Sequence, residues 1–334
     1  MNEAIPIKRA VITGPTGAVG VALINELISN DIEVTAVCRR GSKRMGSIPK
    51  DPRVKIAECN LDELWSLPEM LGVKGGEGDY DAFYHFAWDG TYGETRQDTV
   101  LQTKNIEYTI DAVHAAKKLG CKVFIGAGSQ SEYGHVDGVL HPDTPCNPDN
   151  GYGIAKLAAS RMSRIECEKL GVRHEWCRIV SLYGPYDGEY TMVMSNIIKM
   201  CKGENPKCTK GEQIWDYIYS KDAARAFRLA AERGTHGAIY LLGTGQTRLL
   251  KEYIYAIRDA VEEITGIHTE PEIGAIPYYP NQAMHLEGDI KSLVIDTDFS
   301  VDHTFESGIR ETIRWYIDRN QDREEGVMRN GKAN

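Results

Sequence analysis

The chain has 334 residues, 42% hydrophobic and 26% charged, with a formal net charge of −9. That length holds one large α/β domain or two smaller ones and buries a core without disulfides, which excludes a small peptide module. No apolar run approaches the roughly 18 residues of a membrane span, and the negative balance argues against nonspecific nucleic-acid binding, so neither a membrane nor a nucleic-acid partner is expected.

Residues 1–9 lead directly into an apolar run without the basic start and apolar centre of a secretory signal, which points to the cytoplasm. Arg9–Thr13 reads as a short buried strand, Gly14–Gly20 as a turn, Val21–Ser29 as an amphipathic helix and Ile32–Cys38 as a second strand. Strands at Val54–Ala57, Ala82–Phe86 and Lys122–Gly126 alternate with helices near Leu61–Leu71 and Thr95–Leu119. This alternation predicts an α/β fold, a Rossmann-type doubly wound parallel sheet covered by helices on both faces.

A long helix over Tyr152–Leu170 and a strand over Arg173–Val180 follow. Beyond them the pattern loosens: helix near Met192–Cys201, strand near Ile214–Ile218, helix Lys221–Arg233, strand Ala238–Leu242, helix Lys251–Ile264 and a last helix near Phe305–Ile317. The expected organisation is a core over 1–182, a smaller C-terminal region over 183–320 interleaved with it, and a flexible polar tail over 321–334. The eight cysteines are scattered, with no Cys-x-x-Cys and no zinc-like spacing, so reduced thiols and no metal are expected.

Between the first strand and its helix stands Thr13-Gly14-Pro15-Thr16-Gly17-Ala18-Val19-Gly20, with glycines three apart. Gly14 permits a tight turn, Gly17 lets the backbone approach a pyrophosphate at the helix N-terminus, and Gly20 allows close packing of helix on strand. Thr16, Ala18 and Val19 complete the expected cofactor contacts. A tight turn without a ligand is the plainer alternative, but the strand-turn-helix context favours nucleotide binding. The second strand ends in Cys38-Arg39-Arg40 rather than in an acidic residue. A carboxylate there would bind the free ribose of NAD, whereas a guanidinium binds a ribose phosphate. Arg39, assisted by Arg40, therefore predicts NADP(H) in preference to NAD(H), against the alternative of a solvated basic turn.

Tyr152-Gly-Ile-Ala-Lys156 places a phenol and an ammonium at i and i+4 on one helix face, about 5–6 Å apart at Cβ. A cation beside a phenol favours the phenolate and makes an acid/base device, although the same spacing occurs on solvated helix faces.

Joined by Gly128-Ser129-Gln130-Ser131-Glu132-Tyr133-Gly134, His85-Phe86-Ala87, Asn105, Tyr183-Gly184-Pro185 and the run Trp215–Asp222, these motifs resemble the extended short-chain dehydrogenase/reductase family over residues 8–320. Within it the chain is similar to the nucleotide-sugar epimerase/dehydratase/reductase branch. The resemblance implies that Ser129, with Ser131 as the competing choice, bonds the substrate oxygen, that Tyr152 transfers its proton, and that Lys156 lowers the tyrosine pKa and holds the nicotinamide ribose. It places Asn60 and Leu61 along the adenine and Ala87 beside the cofactor, while Asn105 supports the sheet. Ser129, Gln130, Ser131 and Trp215 are the expected substrate contacts, Trp215 either stacking on the base or packing in the core. His135, Tyr186, Glu189, Tyr190 and Met192 are pocket residues by location only.

Two departures bear on the reaction. Dehydratases of this branch carry adjacent acidic residues after the catalytic hydroxyl, where this chain has Gln130 and Ser131, with Glu132 one position later. The motif whose first arginine binds the nucleotide diphosphate begins here with Trp215, leaving Lys207, Lys210 or Arg248 to supply the charge. The expected function is NADPH-dependent reduction of a 4-keto(-6-deoxy) nucleotide sugar. The stretches around Ser129 and Trp88 are similar to those of deoxysugar nucleotide 4-ketoreductases. A nucleotide-sugar epimerase is the alternative, with a dehydratase or a noncatalytic NADP sensor behind it. The helices Thr99–Leu119 and Tyr152–Leu170 correspond to those that pair subunits in this family, which implies a homodimer through a four-helix bundle.

Overall fold

The computed structural model describes residues 4–73, 79–280 and 282–331. In chain order the elements are β1 (Arg9–Thr13), α1 (Ala18–Ser29), β2 (Glu33–Cys38), β3 (Val54–Glu58), α2 (Leu67–Met70), β4 (Ala82–His85), α3 (Thr99–Lys118), β5 (Val123–Ser129), β6 (Val139–Leu140), α4 (Gly151–Leu170), β7 (Arg173–Ile179) and β8 (Leu182–Tyr183). There follow α5 (Met192–Cys201), β9 (Lys207–Cys208), β10 (Ile214–Trp215), β11 (Ile218–Tyr219), α6 (Ser220–Arg233), β12 (Ala238–Leu242), β13 (Arg248–Leu249), α7 (Leu250–Thr265), β14 (Glu272–Ile273), β15 (His285–Gly288), α8 (Lys291–Thr297) and α9 (Phe305–Gly331).

Strands buried on both faces need apolar residues in both alternating sets. In β1, Ala10 and Ile12 pack under α1 and α6, while Val11 packs with Phe83, Phe124 and the small residues Ala112 and Ala116 of α3. The resulting seven-stranded sheet has the order β12-β7-β5-β4-β1-β2-β3, and every pairing in it is parallel. Strand order reverses between β1 and β4, so the loops leaving these strands diverge and open a crevice at their carboxyl ends. Elements from the C-terminal half return to this body: β12 pairs with β7, and α6 and α8 cover its face.

The first half departs from the sequence reading mainly at element ends. Helix α1 begins at Ala18 rather than Val21, and β5 runs on to Ser129. The helix expected over Thr95–Leu119 is a 3-10 turn at Gly93–Gln97 followed by α3. Asp98 separates them, its carboxylate accepting from the N–H groups of Val100 (3.1 Å) and Leu101 (3.0 Å), an N-cap that starts a new helix.

The strand expected over Ile214–Ile218 is two strands in different sheets. Its middle residue, Asp216, is buried and accepts from the N–H groups of Thr244 (2.9 Å) and Gly245 (3.1 Å). A buried carboxylate needs such donors, and the chain turns to reach them. β10 joins the four-stranded sheet β13-β10-β15-β6, and β11 pairs with β8. The last helix, expected to close near Ile317, continues to Gly331. The part of the polar tail over 321–331 thus has helical backbone, as its Gln, Arg, Glu and Met residues favour; residues 332–334 lie outside the described residues. Among the described residues no helix is long and apolar enough to cross a membrane, and no cluster of His, Cys, Asp or Glu could hold a metal ion.

Candidate active site

The glycine turn sits at the crevice where strand order reverses. Gly14 has φ +69°, and a Cβ on it would stand 2.7 Å from the Ala87 nitrogen, so the loops leaving β1 and β4 touch because residue 14 is glycine. A Cβ on Gly20 would overlap the Gly14 carbonyl and lie 2.8 Å from Pro15. Gly20 therefore serves the packing of α1 on its own turn, rather than on the strand as its spacing suggested. Gly17 is the N-cap of α1 and makes no side-chain cap bond, and a Cβ there would meet nothing nearer than 4.0 Å. The first N–H groups of α1 have no intrahelical acceptors, and the space left at Gly17 beside them makes a cradle that fits a pyrophosphate. Thr13, which the sequence reading did not single out, ties the two loops together: its hydroxyl accepts from Phe86 N and Ala87 N, both at 3.2 Å.

From this turn a cavity of about 620 Å³ extends past Thr16, Arg39, Arg40, Asn60, Leu61 and Ala87, gathering residues far apart in sequence. Arg39 is exposed, and among the described residues its guanidinium has no hydrogen-bond or ion-pair partner, although its carbonyl accepts from Ser42 N at 3.1 Å. Arg40 is otherwise engaged: its guanidinium is ion-paired with Glu63, and its N–H donates to Asn60 Oδ1 at 3.1 Å. Asn60 also caps the 3-10 turn Leu61–Ser66 reciprocally with Glu63, so its side chain is partly committed to the fold. Arg44 lines the same cavity and donates to the Tyr186 carbonyl at 3.2 Å, bridging the loop after β2 to the C-terminal region. An open helix N-terminus at one end and an unpaired guanidinium at the other fit a dinucleotide carrying a ribose phosphate.

Ser129 ends β5 beside the crevice, fixed from the neighbouring strand. Gly126 and Gly128 lie on one face of β5, where a Cβ on either would overlap the indole of Trp176 on β7. The bare backbone lets that ring lie against the strand. Trp176 Nε1 donates to Glu132 Oε1 at 2.9 Å, Arg178 Nε to Glu132 Oε2 at 2.7 Å, and the Ser129 N–H to Glu132 Oε1 at 2.9 Å. The Glu132 and Arg178 side chains are both 0% exposed. Glu132 thus anchors the 3-10 turn Gln130–Glu132 and does not face the crevice as a free acid. The two serines also separate: the Ser129 hydroxyl accepts from Ser131 N at 3.2 Å and acts on the Tyr152 phenol, whereas Ser131 Oγ accepts from Arg96 Nη2 at 2.9 Å.

Tyr152 and Lys156 come from the first turns of α4, capped by Asn150 Oδ1, which accepts from Gly153 N at 2.9 Å. Lys156 is buried; its ammonium donates to the Ala127 carbonyl at 2.7 Å and lies 3.7 Å from the Trp88 ring centroid. Burial holds its pKa well below the ordinary lysine value, with Glu132 pulling the other way. The half-buried Tyr152 phenol is pushed up to about 12 by desolvation, opposed first by the Arg96 guanidinium and then by the Ser129 hydrogen bond. Arg96 lies 4.3 Å from the Tyr152 ring centroid and Lys156 5.8 Å.

The cation nearest the phenol ring is therefore one that the sequence reading did not single out. No local pattern marks Arg96, and the motif around Trp88 assigns that ring no contact with Lys156, because these contacts arise when the segment between β4 and α3 folds back over α4. Asn105 holds that segment, its side chain bonding both the N–H and the carbonyl of Asp89 at 2.9 Å.

A smaller cavity of about 240 Å³ brings Gln130, Ser131 and Trp215 together with Arg96, His135 and His285. Trp215 is half-buried, and its Nε1 is buried with no partner among the described residues. None of the three suggested substitute charges lines this cavity: Arg248 is ion-paired with Glu306, and Lys207 and Lys210 are exposed. Tyr186 and Glu189 line a separate space of about 270 Å³, Tyr190 is 95% exposed, and Met192 is half-buried at the start of α5.

The pattern of the NAD dependent epimerase/dehydratase family matches residues 10–243. Among curated relatives, dTDP-glucose 4,6-dehydratase of Salmonella typhimurium is 25% identical over 94% of this chain and 94% of its own length. Among solved structures, UDP-glucose 4-epimerase of Thermotoga maritima with UDP-glucose superposes with a TM-score of 0.80 at 20% identity, covering 93% of this chain and 99% of the other. DesIV, a dTDP-glucose 4,6-dehydratase from Streptomyces venezuelae with NAD and TYD bound, gives 0.77 at 18% identity over 93% and 97%. These structural likenesses show a shared fold.

Proposed function

This chain belongs to the NAD dependent epimerase/dehydratase family, and from that premise we propose that it reduces a 4-keto nucleotide sugar, a class that includes 6-deoxy sugars, with NADPH. The observation that carries the reading is the half-buried Tyr152 phenol, held on α4 beside Ser129 with Lys156 one turn on; burial pushes it up to about 12, so that it stands protonated at neutral pH. A protonated phenol suits the reductive direction, in which an oxyanion must receive a proton. Dehydration is disfavoured because Glu132 is bound within the fold by Ser129, Trp176 and Arg178.

The residues 1–182 supply the cofactor side and 183–320 most of the substrate side in this reading. Gly14, Thr16, Gly17, Ala18 and Val19 hold the pyrophosphate, with Gly20 packing α1 against that turn, Asn60 and Leu61 hold the adenine, Arg39 the ribose phosphate, and Ala87 borders the ring end. A nicotinamide cofactor bound there supplies the hydride. Ser129 fixes the carbonyl oxygen, Tyr152 protonates it as charge develops, and Lys156 lies where it can hold the adjoining ribose. Gln130, Ser131 and Trp215 border the sugar.

The reaction is tested by adding a 4-keto nucleotide sugar and NADPH to the purified protein. One NADPH should be consumed per sugar reduced. Interconversion of two sugars with no net cofactor turnover would replace this reading with epimerisation, and absence of any redox turnover would leave a cofactor-binding protein.

Cofactor preference is tested separately. Arg39→Ala should weaken NADPH binding by about 10- to 100-fold, the loss of a charge-assisted contact, with NADH binding nearly unchanged. Arg40→Ala should do less, because that guanidinium already pairs with Glu63. Equal catalytic efficiency of the wild type with NADPH and NADH would remove the preference. A homodimer through α3 and α4 is supported by Ile154, Met162 and Ile165, each about half exposed on α4 (53%, 49% and 54%), and a cytoplasmic location accords with cysteines that form no disulfide.

A further inference from the structure

We propose that the substrate of this site carries a carboxylate next to its reacting carbon, and that Arg96 is the residue that binds it. The inference rests on the nucleotide-sugar reading of the cleft and narrows the sugar to an acid.

Arg96 is half-buried, and its guanidinium makes hydrogen bonds to the Ser131 hydroxyl (2.9 Å) and the Thr91 carbonyl (3.2 Å). Both acceptors are neutral, and among the described residues no carboxylate comes within ion-pair distance of it. Elsewhere the fold neutralises arginines of similar or greater burial: Arg178 pairs with Glu132, Arg173 with Glu175, and Arg228 with Glu26 and Glu232. A guanidinium has five N–H donors in a planar fork, so Arg96 keeps donors and a full charge for a group that the chain itself does not supply.

Position decides which anion. The guanidinium lies 4.3 Å from the ring centroid of the proton donor, so an anion gripped by it sits close to the carbonyl that Tyr152 protonates. In a pyranose the phosphate on C1 lies across the ring from C4, whereas a carboxylate at C6 is attached to C5, next to C4. The flat fork also matches a carboxylate bidentately. The shared cavity also holds the Gln130 amide and the unpartnered Trp215 Nε1, while His285 is already bonded to Glu287 at 2.9 Å. The cavity's acidic member, Asp149, accepts from Asn150 Nδ2 at 3.1 Å. A methyl or hydroxymethyl group at the same place would leave the guanidinium without a counter-ion.

The test is calorimetric binding to the full-length protein saturated with NADP+, using UDP-glucuronic acid, UDP-glucose and UDP. Wild-type protein should bind the acid at least about tenfold more tightly than the neutral sugar, as a charge-assisted pair requires. Arg96→Leu should erase that difference while changing UDP affinity less than about twofold, and Arg96→Lys, which retains the charge, should keep part of it. Equal affinity of the wild type for the two sugars overturns the inference and leaves the nucleotide-sugar reading intact. A loss shared by UDP overturns it too, because Arg96 would then be gripping the diphosphate. Failure of all three ligands to bind, with NADP+ still bound, overturns both. Should Arg96→Leu not fold, the wild-type preference and its retention in Arg96→Lys decide.

Discussion

Tyr152→Phe is expected to lower the turnover of keto-sugar reduction by about 10²- to 10⁴-fold, while the NADPH dissociation constant moves by less than about threefold. The substitution removes one oxygen and preserves the ring on which Arg96 stacks and the edge that meets Trp88. The glycine turn and Arg39 lie on other elements, so the cofactor cleft should be unaffected. Stopped-flow loss of NADPH absorbance gives the first quantity and fluorescence titration the second. Retention of more than about a tenth of wild-type turnover would refute Tyr152 as the proton donor.

The pH profile carries the same expectation with a definite sign. The protonated phenol is the active form for reduction, and burial raises its pKa to about 12. Protonated phenol is thus depleted only as pH climbs towards that value, so the phenol itself should impose no loss of reduction between about pH 6 and 9, and a fall in that window should follow Lys156, whose pKa burial lowers. A fall centred below pH 8 that persists in Lys156→Met would mean that another group donates the proton or that a bound ligand reverses the effect of burial.

Much of this arrangement was legible in the sequence because it depends on local geometry. Glycines three apart after a buried strand define a turn and a helix start, and an i, i+4 pair fixes Tyr152 and Lys156 on one face without knowledge of the rest. The pair lies on α4 as its spacing requires, whereas α1 starts at Ala18, inside the turn expected to run to Gly20. The illegible part depends on which loops meet. Arg96 reaches Tyr152 only because Asn105 and Gln102 fasten the segment after β4 over α4. Arg40 reads as a twin of Arg39 until Glu63, from the segment after β3, pairs with it. The split at Asp216 is likewise set by Thr244 and Gly245, which have no sequence relation to it. Periodicity reports burial along one element and is silent about charges delivered by another.

Glu132 shows how much such a tertiary charge can matter, and Glu132→Leu is the substitution expected to damage the fold most. It leaves the Arg178 guanidinium, whose side chain is 0% exposed, without its counter-ion, and it strips the acceptor from Trp176 Nε1 and the Ser129 N–H. Breaking a buried pair from one side costs about 3–5 kcal/mol, to be read as a lower urea midpoint at unchanged slope. Glu132→Gln should lose less, since its amide oxygen can still accept, although the charge is gone. The double variant Glu132→Leu with Arg178→Met should recover much of the loss, because removing both ions avoids the uncompensated charge. A structural anchor predicts this ordering of three unfolding midpoints. If instead Glu132→Leu unfolds with the wild type but abolishes loss of water from a hexose nucleotide, Glu132 acts as an elimination acid and the case for reduction weakens at its foundation. The geometry argues for the first outcome: an acid hydrogen-bonded to an indole, a guanidinium and a backbone amide has its oxygens turned into the fold, and Ser129 owes its place at the crevice to that inward turn.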